Sequence, residues 1–434
     1  MKKHTLFFVI LALSSRLAAR DLSLQDCYAK AVQAHPLQQE WKSRQMVSDL
    51  NRKNLNARWL PSLTMNAGAT HFSDVASFDQ ILGILPVPVS TAALPKMPKN
   101  QYKATLDVSQ TLFDGGMVHA SRKAERAALQ ADLQALQTEF YKVRDQVNQA
   151  YFTSLMLQKQ SELAEIYKNE VMERRAALES GVRNGVMLPS NVDVLDAEAL
   201  KIDQQITELR IQQARVKNIL GILIGEPVSE TMLFLPVIKI PEDTTIRRPE
   251  IALFEKQKAS LEANENVVRS QQIPKAAAFA TCGYGQPPGN DFFNENFDTY
   301  YIVGVGLSWN IFNWNTTKRT RQVLQEQQHI VNARKNHFIQ QIRIALSSSR
   351  ADIDRIRVLL ESDEKLIGLR NKIKQAAASK LNNGTISSTE FLTEFNAERE
   401  ARISYEMHKI QWVQAKVNYL TVAGQNNLKS ENGL

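Results

Sequence analysis

Four stretches of the chain alternate apolar and polar side chains with a period of two, which is typical of β-strands that have one apolar and one polar face. We predict strands at about residues 63–72, 102–113, 276–284 and 300–312. The apolar positions are Leu63, Met65, Ala67 and Ala69, then Tyr102, Ala104, Leu106 and Val108, and finally Tyr301, Val303, Val305, Leu307, Trp309 and Ile311. The stretch at 276–284 has the weakest alternation. Runs of about ten residues with aromatic ends fit tilted membrane-spanning strands. The alternation fits a soluble amphipathic sheet packed on its own helices equally well.

Two long segments have the apolar spacing of coiled-coil helices. The first runs from about Met117 to Val182 without Pro and, before Gly181, without Gly. A helix of about 65 residues measures roughly 100 Å. Its seam alternates spacings of four and three through Leu129, Leu133, Leu136, Phe140, Val143, Val147 and Ala150. The second segment, from about Thr316 to Asn382, has a looser seam through Phe338, Ile342, Ala345, Ile356, Leu359, Leu366 and Ile373. We interpret both seams as packing surfaces rather than ligand sites.

The helix that follows each long helix starts with a polar pair spaced like a capping box. Ser190 is followed by Asp193, and Ser387 is followed by Glu390. In this motif the hydroxyl and the carboxylate accept hydrogen bonds from free backbone amides at the start of a helix. We therefore predict that both pairs cap helices and that the turns before them are the tips of two helical hairpins.

The chain is internally duplicated. Tyr102 and Tyr301 begin similar ungapped segments, YKATLDVSQTLFDGG and YIVGVGLSWNIFNWN, and Gly185 and Gly384 occupy similar turns; both pairs are 199 positions apart. Each copy reads helix, strand, strand, helix, helix, and such repetition is typical of a part of an assembly. The predicted division is a signal peptide at 1–19, a first repeat at 20–225, a linker at 226–245, a second repeat at 246–424 and a C-terminal tail at 425–434. The first repeat has a helical hairpin at about 116–225 with its tip near 181–189, and the second has one at about 315–424 with its tip near 380–388.

The remaining composition argues against several classes of function. The basic start, the apolar stretch and the small residues up to Ala19 predict a secreted protein. The formal net charge of +8 is dispersed along helical stretches, which favours a solvated surface over a nucleic-acid site. Cys27 and Cys282 fall at unmatched places in the repeats, so we predict two separate buried thiols. The seven His residues are scattered, and we predict no metal site, no cofactor and no enzymatic activity.

Four strands are too few to close a barrel, because the smallest single-chain membrane barrels have about eight. An open edge in lipid would leave about five unpaired backbone groups on each side, at several kcal/mol each. If the sheet spans a membrane, other subunits must complete it.

The order and doubled spacing of several motifs resemble the TolC-like family of bacterial outer-membrane efflux proteins, also called outer membrane factors. The motifs are AHP, WLPSLTMNAG, VSQTLFDGG, NGVMLPSNVDVLDAEAL, RRPEI and VGLSWNIFNW, and the resemblance extends over nearly the whole mature chain. It implies a mainly α fold with a small transmembrane β part. Three subunits would share a 12-stranded β-barrel, and their long helices would form a coiled-coil tunnel in the periplasm.

The resemblance also implies a function. The protein would be a passive export channel in the outer membrane of a Gram-negative-type bacterium, in contact with outer-membrane lipid. An inner-membrane pump of the RND, ABC or another class would supply it through a periplasmic adaptor, as in tripartite efflux or type I secretion. The alternative is a periplasmic coiled-coil adaptor or scaffold without a pore.

Two groups of residues are candidates for function in such a channel. The hairpin tips, which would dock the adaptor, comprise Val182, Arg183, Asn184, Gly185, Leu381, Asn382, Asn383, Gly384 and Thr385. The acids just past the tips, which would charge the tunnel entrance, are Asp193, Asp196, Glu390 and Glu394. Because Asp193 and Glu390 also have capping-box spacing, capping is the favoured role for those two.

Overall fold

The computed structural model describes residues 22–76, 96–228, 233–241 and 245–425. The predicted signal peptide, nearly all of the predicted C-terminal tail and parts of the predicted linker lie outside the described residues. The described chain is mainly helical with one small antiparallel sheet, as predicted. None of the helices within the described ranges is both long enough and apolar enough to cross a lipid bilayer.

Each half of the chain supplies two strands, and long helices follow them. The first half contains α1 (Leu24–Ala34), α2 (Leu37–Ala57), β1 (Ser62–His71), β2 (Asn100–Phe113), α3 (Met117–Arg183) and α4 (Ser190–Ile224). The second half contains α5 (Pro249–Ser270), β3 (Lys275–Gln286), β4 (Asp298–Ser308), α6 (Thr316–Asn382) and α7 (Ser388–Ala423). The prediction that the last strand continues to residue 312 is wrong. Ser308 pairs with Lys275, the first residue of β3, so Trp309 and Ile311 have no partner strand beside them.

The sheet has the order β1-β2-β3-β4, and all its neighbours are antiparallel. In one row across the sheet, Met65 lies opposite Leu106, Leu106 opposite Cys282, and Cys282 opposite Tyr301. Residues that lie opposite each other point to the same face of a sheet. The apolar positions predicted separately for each strand therefore share one face.

The seam predicted for α3 is largely buried. Its seven positions are all buried except Leu129, which is half-buried. In α6, Ile342 and Ile356 are buried, whereas Leu366 and Ile373 are exposed. The predicted packing is therefore wrong for those last two residues within one chain. Heptad spacing identifies the residues that share a helix face, but it does not show whether the same chain covers that face.

One of the two predicted capping boxes is present. The Ser387 hydroxyl accepts a hydrogen bond from the backbone N–H of Glu390 at 3.3 Å, and the Glu390 carboxylate accepts one from the backbone N–H of Ser387 at 2.8 Å. The prediction is wrong for Ser190 and Asp193, because α4 starts at Ser190 itself and no side chain caps it. Pro189 precedes the helix, and proline starts a helix readily because its φ angle is already helical.

The two cysteines have different environments. Cys27 is buried as predicted, and burial raises the pKa of its thiol to about 12. The prediction that Cys282 is buried is wrong, because its side chain is exposed. It lies between Leu106 and Tyr301 in the sheet, and both of these side chains are also exposed.

The chain forms two compact units. One contains the residues up to Glu40, Leu136–Ile251 and the residues from Asn336 onward; the other contains Trp41–Ala135 and Ala252–Lys335, and includes the sheet. Two apolar clusters lie within the first unit. One surrounds Tyr151 and Phe152, and the other surrounds Tyr167 and Phe395, whose rings meet edge to face.

Candidate functional surfaces

The apolar face of the sheet is uncovered. Met65 on β1 is 75% exposed, and on β4 Val305 and Leu307 are 72% and 74% exposed. Buried side chains of these types would each contribute about 1.5–3 kcal/mol relative to exposed ones. A contiguous apolar surface of this kind normally contacts lipid or another protein. The structure thus excludes, for the described part of the chain, the interpretation that this face packs on the protein's own helices.

Aromatic side chains cluster at both ends of the sheet. At one end the Phe297 ring lies 6.0 Å from the ring of Tyr102 and 5.7 Å from that of Tyr284. At the other end Trp309 donates its indole N–H to the Gln272 carbonyl at 3.0 Å. Phe312 and Trp314, just beyond it, are exposed and have ring centroids 5.0 Å apart. Two aromatic rows on either side of an apolar band are typical of strands that span a membrane.

The opposite face of the sheet is polar and has its own hydrogen-bond network. The Asp107 carboxylate accepts hydrogen bonds from Asn66 at 2.8 Å, from Thr105 at 2.9 Å and from Thr281 at 2.5 Å. These residues come from three neighbouring strands. The network fixes the carboxylate in place, and the face is suited to contact with water.

The two outer strands of the sheet each have one unpaired edge. β1 pairs only with β2, and β4 pairs only with β3, within the part of the chain that the structure describes. An exposed edge of ten or more residues is a template for pairing with another strand. The sheet is therefore complete only if further strands join both edges.

The two hairpin tips close in the same way. Gly185 has φ +73° and Gly384 has φ +69°, a left-handed conformation that glycine adopts without strain. The Gly185 N–H donates to the Val182 carbonyl, and the Gly384 N–H donates to the Leu381 carbonyl, both at 3.0 Å. The Thr385 hydroxyl also donates to a carbonyl of the last turn of α6, at 2.9 Å.

The predicted tip residues differ in their exposure. Arg183, Asn184, Gly185, Asn382, Asn383, Gly384 and Thr385 are exposed, and Val182 is half-buried. Leu381 is fully buried against the Phe391 and Phe395 cluster, so its side chain is not part of the tip surface. Two further apolar tip residues were not among those predicted: Val186 is 74% exposed and Leu188 is 68% exposed. Val186 follows Gly185 directly and Leu188 is three residues after it, so their positions next to the tip glycine could have indicated them.

Two of the predicted entrance acids are paired with arginines of the preceding helix. The Asp196 carboxylate accepts a hydrogen bond from Arg175 at 2.6 Å, and the Glu394 carboxylate accepts one from Arg370 at 3.4 Å. These side chains are partly exposed, so each pair contributes about 0–1 kcal/mol to stability. Asp193 and Glu390 are exposed. Hydrogen bonds from Ser387 lower the pKa of Glu390.

A buried ionic group was also missed by sequence analysis. Glu398 is completely buried and accepts hydrogen bonds from Arg402 at 2.8 Å and from Lys374 at 3.2 Å. Lys374 also forms an ion pair with Glu170 at 3.0 Å, so the group joins α3, α6 and α7. Arg402 lies four residues after Glu398 on α7, a spacing that was visible in the sequence. Within the described ranges, no three His, Cys, Asp or Glu side chains are placed to hold a metal ion.

The sequence matches a family model and a curated protein. Residues 28–222 match the model of the outer membrane efflux protein family. The pyoverdine export outer membrane protein OpmQ of Pseudomonas putida is 22% identical over 275 residues, which are 61% of this chain and 56% of that protein. The match thus spans little more than half the length of this curated relative.

Solved structures are similar over nearly the whole chain. CusC aligns with a TM-score of 0.67 at 15% identity and covers 94% of this chain and 93% of its own. The outer membrane protein VceC from Vibrio cholerae aligns with a TM-score of 0.64 at 14% identity, over 93% of this chain and 96% of its own. The MtrE outer membrane channel of Neisseria gonorrhoeae aligns with a TM-score of 0.63 at 15% identity, over 95% of this chain and 91% of its own. The chain has the fold of these proteins.

Proposed function

We propose that the chain, of which residues 28–222 match the model of the outer membrane efflux protein family, is the outer-membrane channel of a tripartite efflux or type I secretion system. It is a passive conduit from an inner-membrane pump and a periplasmic adaptor to the exterior. The curated relative is, by its name, a pyoverdine export protein, which supports export as the direction of transport. No catalytic step is required of such a conduit.

One observation supports this function above the others. A four-stranded sheet has a continuous apolar face, aromatic rows at both ends, a polar opposite face and two unpaired edges. In a membrane barrel the apolar face contacts lipid and the polar face contacts water in the pore. A periplasmic scaffold without a pore would have to expose the apolar face to water, so the sheet favours the channel.

The unpaired edges lead to the proposed oligomer. In lipid, each unpaired backbone group costs several kcal/mol, so an open sheet is not stable there. If β4 of one subunit pairs with β1 of the next, the contact is head-to-tail, and such a contact closes into a ring when the rotation permits. Three subunits give 12 strands, which is within the range of membrane barrels. We propose this homotrimer.

The hairpin tips are the proposed docking surface for the adaptor. Asn184, Asn383 and the tip glycines are exposed, and each subunit presents two similar turns. Val186 and Leu188 add exposed apolar area to the first tip, which suits burial against a protein partner. Three subunits present six tips, so contacts that are weak singly add through multivalency.

The acids beyond the tips are the proposed charge of the tunnel entrance. Asp196 and Glu394 keep partly exposed carboxylates although each is paired with an arginine. Threefold repetition of both would place up to about six carboxylates around one opening, and rings of acids favour cations. The adjacent arginines reduce the net charge of this ring.

The function is tested by recovering and reconstituting the full protein. We expect it in the outer-membrane fraction, with a mass in detergent three times that of the subunit, and we expect it to conduct ions across a planar bilayer. A water-soluble periplasmic monomer or dimer without conductance would refute the channel and favour the scaffold.

A further inference from the structure

A basic surface continues from the apolar face of the sheet onto the adjoining helices. We propose that Arg122, Lys123 and Arg126 of α3, with Lys53 of α2 and Arg269 of α5, bind the headgroups of anionic phospholipids in the leaflet on the helical side of the membrane. This inference rests on the proposed function, because it requires the sheet to lie in a bilayer.

Contacts at the start of α3 show which side of that helix continues each face of the sheet. Lys275 lies on the polar face, since it is adjacent to Ala276 on the apolar face. Its ammonium nitrogen lies 3.6 Å from the Met117 sulfur. Ser121 and Ala124, four and seven residues after Met117, lie on the same side of the helix. This side of α3 therefore continues the polar face of the sheet.

The three basic residues lie on the other side of α3. With 3.6 residues per turn, Arg122, Lys123 and Arg126 are about 125° to 175° away from the middle of the Met117 side. Their side chains are exposed. They therefore continue the apolar face of the sheet, which is the lipid-facing side in the proposed channel.

The neighbouring helices place two further cations on that side. Asn54 of α2 and Asn264 of α5 line one groove together with Ser121 of α3, so they mark the polar-face side. Lys53 is one residue before Asn54 and two after Asn51, which also lines the groove, and Arg269 is five residues after Asn264. By the same helical geometry, both cations lie away from the groove.

The charges of this surface are not neutralised within the protein. Among the residues that the structure describes, Arg122, Lys123 and Arg126 have no acidic partner within 4.0 Å. Acids on the corresponding sides of α2 and α5 pair within their own helices: Asp49 with Arg52 at 2.9 Å, and Glu262 with Lys258 at 3.8 Å.

The charge pattern also runs against the preference of an isolated helix. α3 has no acid in its first turn, although the helix dipole favours acids there and disfavours cations. The first turn of α6 likewise has no acid, and it contains Lys318 and Arg319. An anionic partner outside the protein explains why both repeats keep cations at this position.

The depth of these residues fits a phospholipid headgroup layer. Arg122 and Lys123 are five and six residues after the start of α3, about 8–9 Å along the helix axis, and Arg269 is the residue before the end of α5. The interfacial layer on one side of a bilayer is about 5–7 Å thick. Arginine and lysine side chains are long enough to extend from the helices to phosphate groups in that layer.

The test measures lipid selectivity of the reconstituted full protein. The protein is reconstituted in phosphatidylcholine vesicles that contain a trace of one spin-labelled lipid, either phosphatidylglycerol or phosphatidylcholine. The fraction of labelled lipid that is immobilised at the protein surface is measured for each label. The wild type should prefer phosphatidylglycerol. The triple variant Arg122→Gln, Lys123→Gln, Arg126→Gln should lose this preference, by at most about fivefold in affinity per removed charge.

A matched control removes the same charge elsewhere. Arg343→Gln, Lys365→Gln and Lys372→Gln change exposed cations that lie 27 to 56 residues into α6, and this variant should keep the wild-type preference. A preference that persists in the first triple variant, or that falls equally in the control, would overturn the assignment.

Two further measurements keep the inference separate from the proposed function. Raising the salt from about 0.05 M to about 0.5 M should weaken the preference of the wild type, because screening reduces exposed charge interactions, and a preference independent of salt would overturn it without any variant. Conductance is measured on the same samples. Conductance without phosphatidylglycerol preference overturns only the lipid site, whereas failure of the wild type to insert and conduct overturns both proposals.

Discussion

Val305→Arg tests whether the apolar face of the sheet lies in lipid. Val305 lies four residues from Trp309, which belongs to one aromatic row, and six from Thr299, which pairs with Tyr284 of the other row. At about 3.3 Å per residue, the nearer row is about 13 Å from Val305 along the chain. An arginine side chain is shorter than that distance, so its charge would remain in the apolar band. Ala278 lies opposite and offers no counter-charge.

The expected cost follows from this depth. An arginine on the lipid face near the bilayer midplane destabilises a barrel by about 2–4 kcal/mol. We expect the free energy of unfolding, measured by urea titration of the reconstituted protein at a fixed protein concentration, to fall by this amount. Protein concentration is kept fixed because the stability of an oligomer depends on it.

The neighbouring residue supplies the control. Gly306 points to the opposite face, and a Cβ atom built on it meets nothing within 4 Å. Gly306→Arg should therefore change the free energy of unfolding by less than about 1 kcal/mol, while it alters the conductance of the pore. Gly304 is unsuitable as a control, because the Phe279 ring fills the space beside it at 2.6 Å. Equal costs for Val305→Arg and Gly306→Arg would refute the assignment of the two faces.

Three further predictions concern the hairpin tips and the acids beyond them. Asn184→Trp combined with Asn383→Trp should abolish export by whole cells but leave the trimer mass and outer-membrane recovery unchanged, because both side chains are exposed and the tip glycines are retained; normal export would exclude the tips as the docking surface. Asp196→Asn combined with Glu394→Gln should lower cation selectivity, measured as the reversal potential in a planar bilayer at low salt. An unchanged potential would leave pairing with arginine as the only role of these acids. Hydrogen bonds lower the pKa of Glu390 from its ordinary value of 4.5. The capping box therefore stabilises the helix start above pH 4.5, and this contribution is lost as the pH falls through the lower pKa that Glu390 has in the folded protein. Glu390→Gln should remove this pH dependence from amide hydrogen exchange at the start of α7, and an identical pH profile in the variant would contradict the capping role.

The turn at each hairpin tip shows how far local sequence information extends. Gly185 and Gly384 were identified from the sequence, and both adopt the left-handed conformation that ends a helix. Ser387 with Glu390 forms the predicted capping box, whereas Ser190 with Asp193 does not. The difference comes from Pro189, which starts α4 without a capping side chain.

Several assignments are still predictions. The tip residues as the docking surface and the acids as the tunnel entrance are tested by the experiments above, and the division into two repeats stays a prediction. The fold is established by the structure and by its similarity to solved structures, and residues 28–222 match the model of the outer membrane efflux protein family.

The sequence by itself determined the periodic features of this protein. The alternation in each strand identified an apolar and a polar face, and heptad spacing identified the buried seam of α3, because both periods follow from backbone geometry that involves only near neighbours in the chain. The tertiary structure decided what each face meets. Pairing of four strands from distant parts of the chain joined Met65, Leu106, Cys282 and Tyr301 into one exposed row. Packing of α3, α6 and α7 buried Glu398 between cations. Contacts between residues of different helices or strands depend on how the elements assemble, and no local period encodes them.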